Sequence, residues 1–292
     1  MDTGFSFSPT PVSFELDTLP PVDMILLSND SVVFYTCETT LLDVSTNSFR
    51  NLLPFPFPTH HGDGSINPSE RILTLPEIPS SELEIMLLAI HNVPRNNNSP
   101  SLFDVNIITR AIDRLPEYGI PPDTRITPTS QIYHLMLSCA PLYPLEIYAL
   151  AAQYEIHSLA VTVSSHALSL ELSEVSVELS RRMGAIYLLW LFQLHMGRTE
   201  RLKVLLTAEV GLHNPTAECS FTNQKTLKRM WNLAVAKLLF VIKPDTTTAL
   251  IRDTVMEHTS ELTCPDCLNL RDKQLNMVIT EWSVTRRTIG DS

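Results

Sequence analysis

Cys264-Pro265-Asp266-Cys267 is the pattern in this chain best suited to chemistry, because two thiols three residues apart can reach one soft divalent ion. Cys219 would supply a third sulfur, and His213, His258 or His195 the fourth ligand of a structural zinc clip tying a loop to the last helix. The same cysteines also read as ordinary half-buried thiols at a helix start, since a Cys-x-x-Cys without a second such pair is a weak signal. A redox or enzymatic role at Cys264 and Cys267 is the alternative reading. Against it, Cys-x-x-Cys oxidoreductases set the pair after a strand in a βαβ unit, and the surrounding sequence is helical.

Other reactive side chains form no constellation. The nine histidines include no His-Glu-x-x-His arrangement. His60-His61 falls in a loop, and His166 and His195 fall within apolar helices, where a hydrogen-bonded core histidine is the default. The chain carries 8 glycines where average usage would give about 20, and it lacks the phosphate-cradling and nucleophile-elbow motifs that need them. Gly62-Asp63-Gly64 is an isolated turn pair. No catalytic residue or bound cofactor beyond the zinc is expected, and the chain reads as a non-enzyme.

Length and composition bound the partners. The 292 residues, 44% of them hydrophobic, suffice for one large or two ordinary domains with real cores. The net charge of −11 sets a field that repels phosphate backbones and anionic lipid, so neither nucleic acid nor membrane is an expected partner. The pairs Arg181-Arg182 and Arg286-Arg287 are too short for nucleic-acid patches and read as solvated or dipole-pairing groups. The first residues have no basic leader and no apolar run approaches a bilayer span, while five cysteines are too few for a disulfide scaffold. The expected location is the cytoplasm or nucleus.

The elements that must position these groups begin after a Pro/Ser/Thr-rich arm, 1–20. VDMILL (22–27) and VVFYT (32–36) around a polar turn cluster predict a hairpin, and RILTL (71–75) a third strand. Between them, 39–53 fits two short helices broken near Ser45-Thr46-Asn47, followed by a long Pro/Gly/His loop, 54–70. Ser81 with Glu84 predicts a capping box, with Leu83, Met86, Leu87 and Ile90 on one helical face. A polar break at 92–100 precedes a helix carrying Val105, Ile108, Ile112 and Leu115. Further helices are predicted at about 130–140, 144–156, 158–170, 174–183, 185–209 with a break at Gly197, 223–242, 246–258 and 268–287. Trp190, Phe192, Met230, Trp231 and Trp282 fall at helical spacing and read as core.

Strand, turn, strand, two short helices, third strand and paired helices is an order that resembles a BTB/POZ domain. Val22-Asp23-Met24-Ile25-Leu26 is similar to its Asp-led first strand, Phe34 to its second-strand aromatic, and Leu41 to Phe49 to the hydrophobic segment ending in Ser-x-x-Phe. Ile72 to Pro76 and Leu83 to Ile90 resemble its third strand and next helix. Where many members carry a His-Lys pair entering the first helix, this chain has Cys37-Glu38, which reverses the local charge, and the arm 1–20 is a poor helix former where many have a dimer-building helix. The whole chain resembles a group of fungal BTB proteins through Tyr148-Ala149-Leu150-Ala151, Arg182 to Tyr187, Leu194 to Arg198, Glu218 to Phe221, Cys264 to Cys267 and Glu281 to Val284.

The expected fold class is therefore α+β: an arm at 1–20, a BTB/POZ-like domain at 21–140 with a small three-stranded sheet capped by helices, and an all-α domain at 141–289. The resemblance implies a protein–protein interaction adaptor or scaffold, self-associating or recruiting a cullin-type ubiquitin ligase scaffold.

Overall fold

The computed structural model describes residues 22–54, 71–92 and 104–290. The arm 1–20, nearly all of the loops 54–70 and 92–100, and with them His60, His61 and Gly62-Asp63-Gly64, lie outside the described residues. The chain is α+β, a small three-stranded sheet with many helices, and it divides into two compact units. One comprises Met1–Cys139 with Tyr154–Ser158, the other Ala140–Gln153 with Leu159–Ser292.

In the first unit, β1 (Met24–Ser28) pairs antiparallel with β2 (Val33–Thr36) across a turn where the Ser28 hydroxyl donates to Asp30, 2.6 Å. α1 (Glu38–Val44) and α2 (Ser48–Asn51) follow, and the chain returns as β3 (Ile72–Leu75), parallel to β1, giving the order β2-β1-β3. Period-two alternation sends Met24, Leu26, Leu73 and Leu75 into the core. The second short helix expected in 39–53 is in fact one left-handed turn: Ser48, Phe49, Arg50 and Asn51 all have φ between 52° and 61°. Each such non-glycine residue costs about 1 kcal/mol. Burial of Phe49 against the Tyr118 ring, centroids 4.7 Å apart, and donation of its N–H to Ser45 Oγ at 2.7 Å hold the turn. Gly119, φ 73°, presses against the same turn, where an added Cβ would lie 2.5 Å from Asn47 Oδ1.

Among the described residues four further helices belong to this unit: α3 (Ser80–His91), α4 (Val105–Arg114), the single turn α5 (Pro122–Arg125) and α6 (Gln131–Cys139). α3 does not begin with the expected capping box. Its first residue is Ser80, and Asp30 from the hairpin turn accepts from both the Ser80 N–H (3.0 Å) and hydroxyl (2.6 Å), bonds that with Ser28 hold its carboxyl below the usual range. Residues 154–158 join this unit because the Tyr154 hydroxyl donates to Asp113 at 2.8 Å and the Tyr133 hydroxyl to the Ser158 carbonyl at 3.2 Å.

The second unit is built from α7 (Pro144–Gln153), most of α8 (His157–Ser164), α9 (Val177–Thr207), α10 (Phe221–Val241), α11 (Thr248–His258) and α12 (Pro265–Ser283). α9 breaks at Gly184, with φ 70° and ψ 168°, a conformation open to glycine, whereas Gly197 stays helical. α12 starts at Pro265, three residues before the expected start, because proline at the first helical position loses no hydrogen bond. Leu206, Leu227, Leu238, Val255, Leu275 and Val278 join Trp231 and Trp282 in one core, each indole N–H satisfied by a carbonyl, Leu206 and Thr246 respectively. Phe192, expected in the core, is exposed, and Trp190 is half-buried.

Candidate metal centre

The sequence around Cys264 positions its thiols by helix geometry. Cys264 is the residue before α12 and Cys267 lies in its first turn, so both sulfurs sit near the amide-rich end of that helix. The turn 216–219, in which Thr216 and Cys219 exchange backbone hydrogen bonds of 3.0 and 3.3 Å, delivers Cys219 just ahead of α10. His213 comes from the segment linking α9 to that turn.

These four side chains converge: His213, Cys219, Cys264 and Cys267 place their ligating atoms all within 4.8 Å of one another. Cys219 Sγ and Cys267 Sγ are 3.8 Å apart, and His213 Nε2 is 3.5 Å from Cys264 Sγ and 3.3 Å from Cys267 Sγ. A tetrahedral ion bound at 2.3 Å by sulfur and 2.0–2.1 Å by nitrogen would need edges of about 3.8 Å between sulfurs and about 3.6 Å between sulfur and nitrogen. The four atoms therefore already approximate the coordination sphere of one metal ion. Of the three histidines offered by the sequence as fourth ligand, the structure selects His213. His258 instead engages the Thr254 carbonyl through Nδ1 at 2.9 Å, and His195 is buried within α9.

The ring of His213 is turned by its surroundings. Its Nδ1 lies 2.7 Å from the Asn214 carbonyl, which can only accept, so the proton sits on Nδ1 and the Nε2 lone pair faces the thiols. The wholly buried Gln224 amide lies 3.4 Å from the same Nδ1. With its oxygen turned to that N–H, Gln224 satisfies the oxygen that otherwise has no partner.

Electrostatics differ among the sulfurs. The backbone N–H of Cys267 is the largest influence drawing the Cys264 thiol down to about 7, while burial pushes Cys267 up to about 12 and Cys219 upward as well. The Asn214 carbonyl raises His213. Cys264 is thus the thiol that ionises first, and a divalent ion would supply the positive charge the two buried thiols need to follow.

Cys37 and Cys139 lie outside this cluster and are free thiols, as are the other three. Sequence reasoning found the three cysteines but gave no role to Asn214 or Gln224. The recoverable signal was His213-x5-Cys219 as the missing second half for Cys264-x2-Cys267.

No family model, no curated protein and no solved structure matches this chain, so the site stands on its geometry alone.

Proposed function

We propose that the chain is a non-enzymatic protein-interaction adaptor whose first unit is a BTB/POZ-type domain. The observation that carries this reading is the sheet: a β1–β2 hairpin, two short helical segments, then β3 parallel to β1, followed by α3 and α4. Cys37-Glu38, the departure from the family's basic pair, is compensated from the residue just before β3, where the buried Arg71 pairs with Glu38 and with Asp23. Strand register sets Tyr35, Ile25 and Ile72 in one row and Val33, Leu27 and Thr74 in the next, leaving Val33, Tyr35 and Ile72 exposed on one face of the sheet. Such a face suits contact with protein. The partner is a second copy of the chain or a cullin-type ubiquitin ligase scaffold, in the cytoplasm or nucleus. Size-exclusion light scattering of the full chain, with titration of a purified cullin N-terminal domain, tests this. Self-association or saturable binding is expected, and a monomer that binds no cullin contradicts it.

A second reading is favoured by the thiol–imidazole geometry: His213, Cys219, Cys264 and Cys267 hold one structural zinc. Four protein ligands leave no coordination position for substrate, which favours a structural ion over the redox or enzymatic alternative. Purified protein should carry one zinc per chain and Cys264→Ser should lose it; a folded, zinc-free wild type contradicts the reading.

A further inference from the structure

The second unit holds a cavity of about 440 Å³ between α9 and the segment after α12, within the size range of small-molecule sites. Trp190, Leu194 and Ile289 give it an apolar wall, and Arg198, Arg286 and Thr288 its polar side. No lining residue is acidic, although the chain as a whole carries −11.

Arg198 is the decisive group. It is 3% exposed, stacks on the Trp282 ring at 4.2 Å, and donates Nε to the Pro244 carbonyl and Nη1 to those of Thr285 and Arg286, at 2.6–2.7 Å. Among the described residues its Nη2 makes no hydrogen bond and its charge meets no carboxylate in an ion pair. Burial, then the charge of Arg287, push it down to about 10, against the smaller opposing pull of Asp245, with which it makes no ion pair. Arg286 and Arg287 likewise make no ion pair among the described residues. A buried cation without a counter-ion is costly, and a planar guanidinium with free N–H groups matches the two oxygens of an oxyanion.

We infer that this cavity binds a small organic anion, its carboxylate or phosphate between Arg198 Nη2 and the Arg286 guanidinium and its apolar body against Trp190, Leu194 and Ile289. The inference rests on neither the adaptor nor the zinc reading. It gives Arg286, which lies beyond the last residue of α12 and lines the cavity, a role beyond that of a solvated or dipole-pairing group.

Calorimetric titration of the full chain with phenyl phosphate, benzoate and uncharged benzyl alcohol tests it. One saturable anion site per chain is expected, weakened about tenfold by Arg286→Gln and less by Thr288→Val, with circular dichroism unchanged. Arg252→Gln, an exposed arginine on α11, should leave it unaltered. Tighter phenyl phosphate binding assigns the site to phosphate monoesters, and tighter benzoate binding to carboxylates. No saturation by either anion up to about 10 mM, equal binding of benzyl alcohol, or equal losses in Arg286→Gln and Arg252→Gln would overturn the inference.

Discussion

The two units differ in how they hold two of their largest buried cations, Arg71 and Arg198. In the first, the buried charges among the described residues meet opposite charges from the same unit: Arg71 pairs with Glu38 and Asp23, and buried Glu82 takes Arg110 at 2.6 Å and Arg114 at 2.7 Å. In the second, Arg271 pairs with its neighbour Asp272 at 2.8 Å, but Arg198 is held by backbone carbonyls and the Trp282 ring, and three cysteines converge on His213. Among the described residues the first unit matches its buried charges internally, whereas Arg198 and the thiol–imidazole cluster of the second offer groups suited to an anion and to a metal ion. That contrast locates ligand chemistry in the helical half and leaves the sheet half with its apolar surface.

The comparison can be broken most forcefully by removing metal. All three tryptophans, Trp190, Trp231 and Trp282, belong to the second unit, so their emission reports on that unit. A strong chelator, or Cys219→Ser, should red-shift the emission and lower the helical unit's melting temperature; an unchanged melting curve with metal removed would show that the cluster is only a set of packed thiols. Next in size is Arg71→Met, which takes the guanidinium from buried Glu38 and should cost about 3–5 kcal/mol by urea unfolding followed in the far ultraviolet. A loss below about 1 kcal/mol would mean that the charges of the first unit are not interdependent. Gly119→Ala should cost more than about 1 kcal/mol, since it adds a clash with Asn47 to a left-handed backbone.

The smallest effect is on acid stability. Burial lowers the titration of His91, whose Nε2 lies 2.9 Å from Thr36 Oγ1, and of His195. A histidine kept neutral by folding contributes fully above its unfolded value of about 6.5, and that contribution is lost as pH falls below it, because the unfolded chain binds the proton first. Stability should therefore decline below about pH 6.5, with a shallower decline in His91→Gln. An identical slope in that variant would remove His91 from the account.

How much of this the sequence carried depends on the range of the interaction. The strands around Ser28–Ser31 and the apolar stripe of α4 were legible because periodicity and turn chemistry are local. The start of α3 was legible to within a residue, but its cap was not, because Asp30 lies fifty residues earlier in the chain. The left-handed turn at 48–51 was likewise hidden: Ser-Phe-Arg-Asn has no intrinsic preference for it, and Tyr118 and Gly119 impose it from a distant segment. For the metal centre, Cys264 and Cys267 advertise themselves by spacing. The choice of His213 was only half legible: it stands close before Cys219, but His258 stands as close before Cys264, and only the fold brings His213 to the sulfurs and turns His258 to the Thr254 carbonyl. Arg198 gave no signal at all, because a buried arginine satisfied by carbonyls looks in sequence like any exposed one.

The central claim is that the helical unit is closed around an ion. X-ray absorption at the zinc edge, on full-length protein purified without added metal, measures it most directly. The account predicts one zinc per chain with three sulfurs at about 2.3 Å and one nitrogen at 2.0–2.1 Å, the nitrogen shell disappearing in His213→Ala. A folded wild-type chain without zinc, or one whose zinc is ringed by oxygen or nitrogen in place of sulfur, would contradict it.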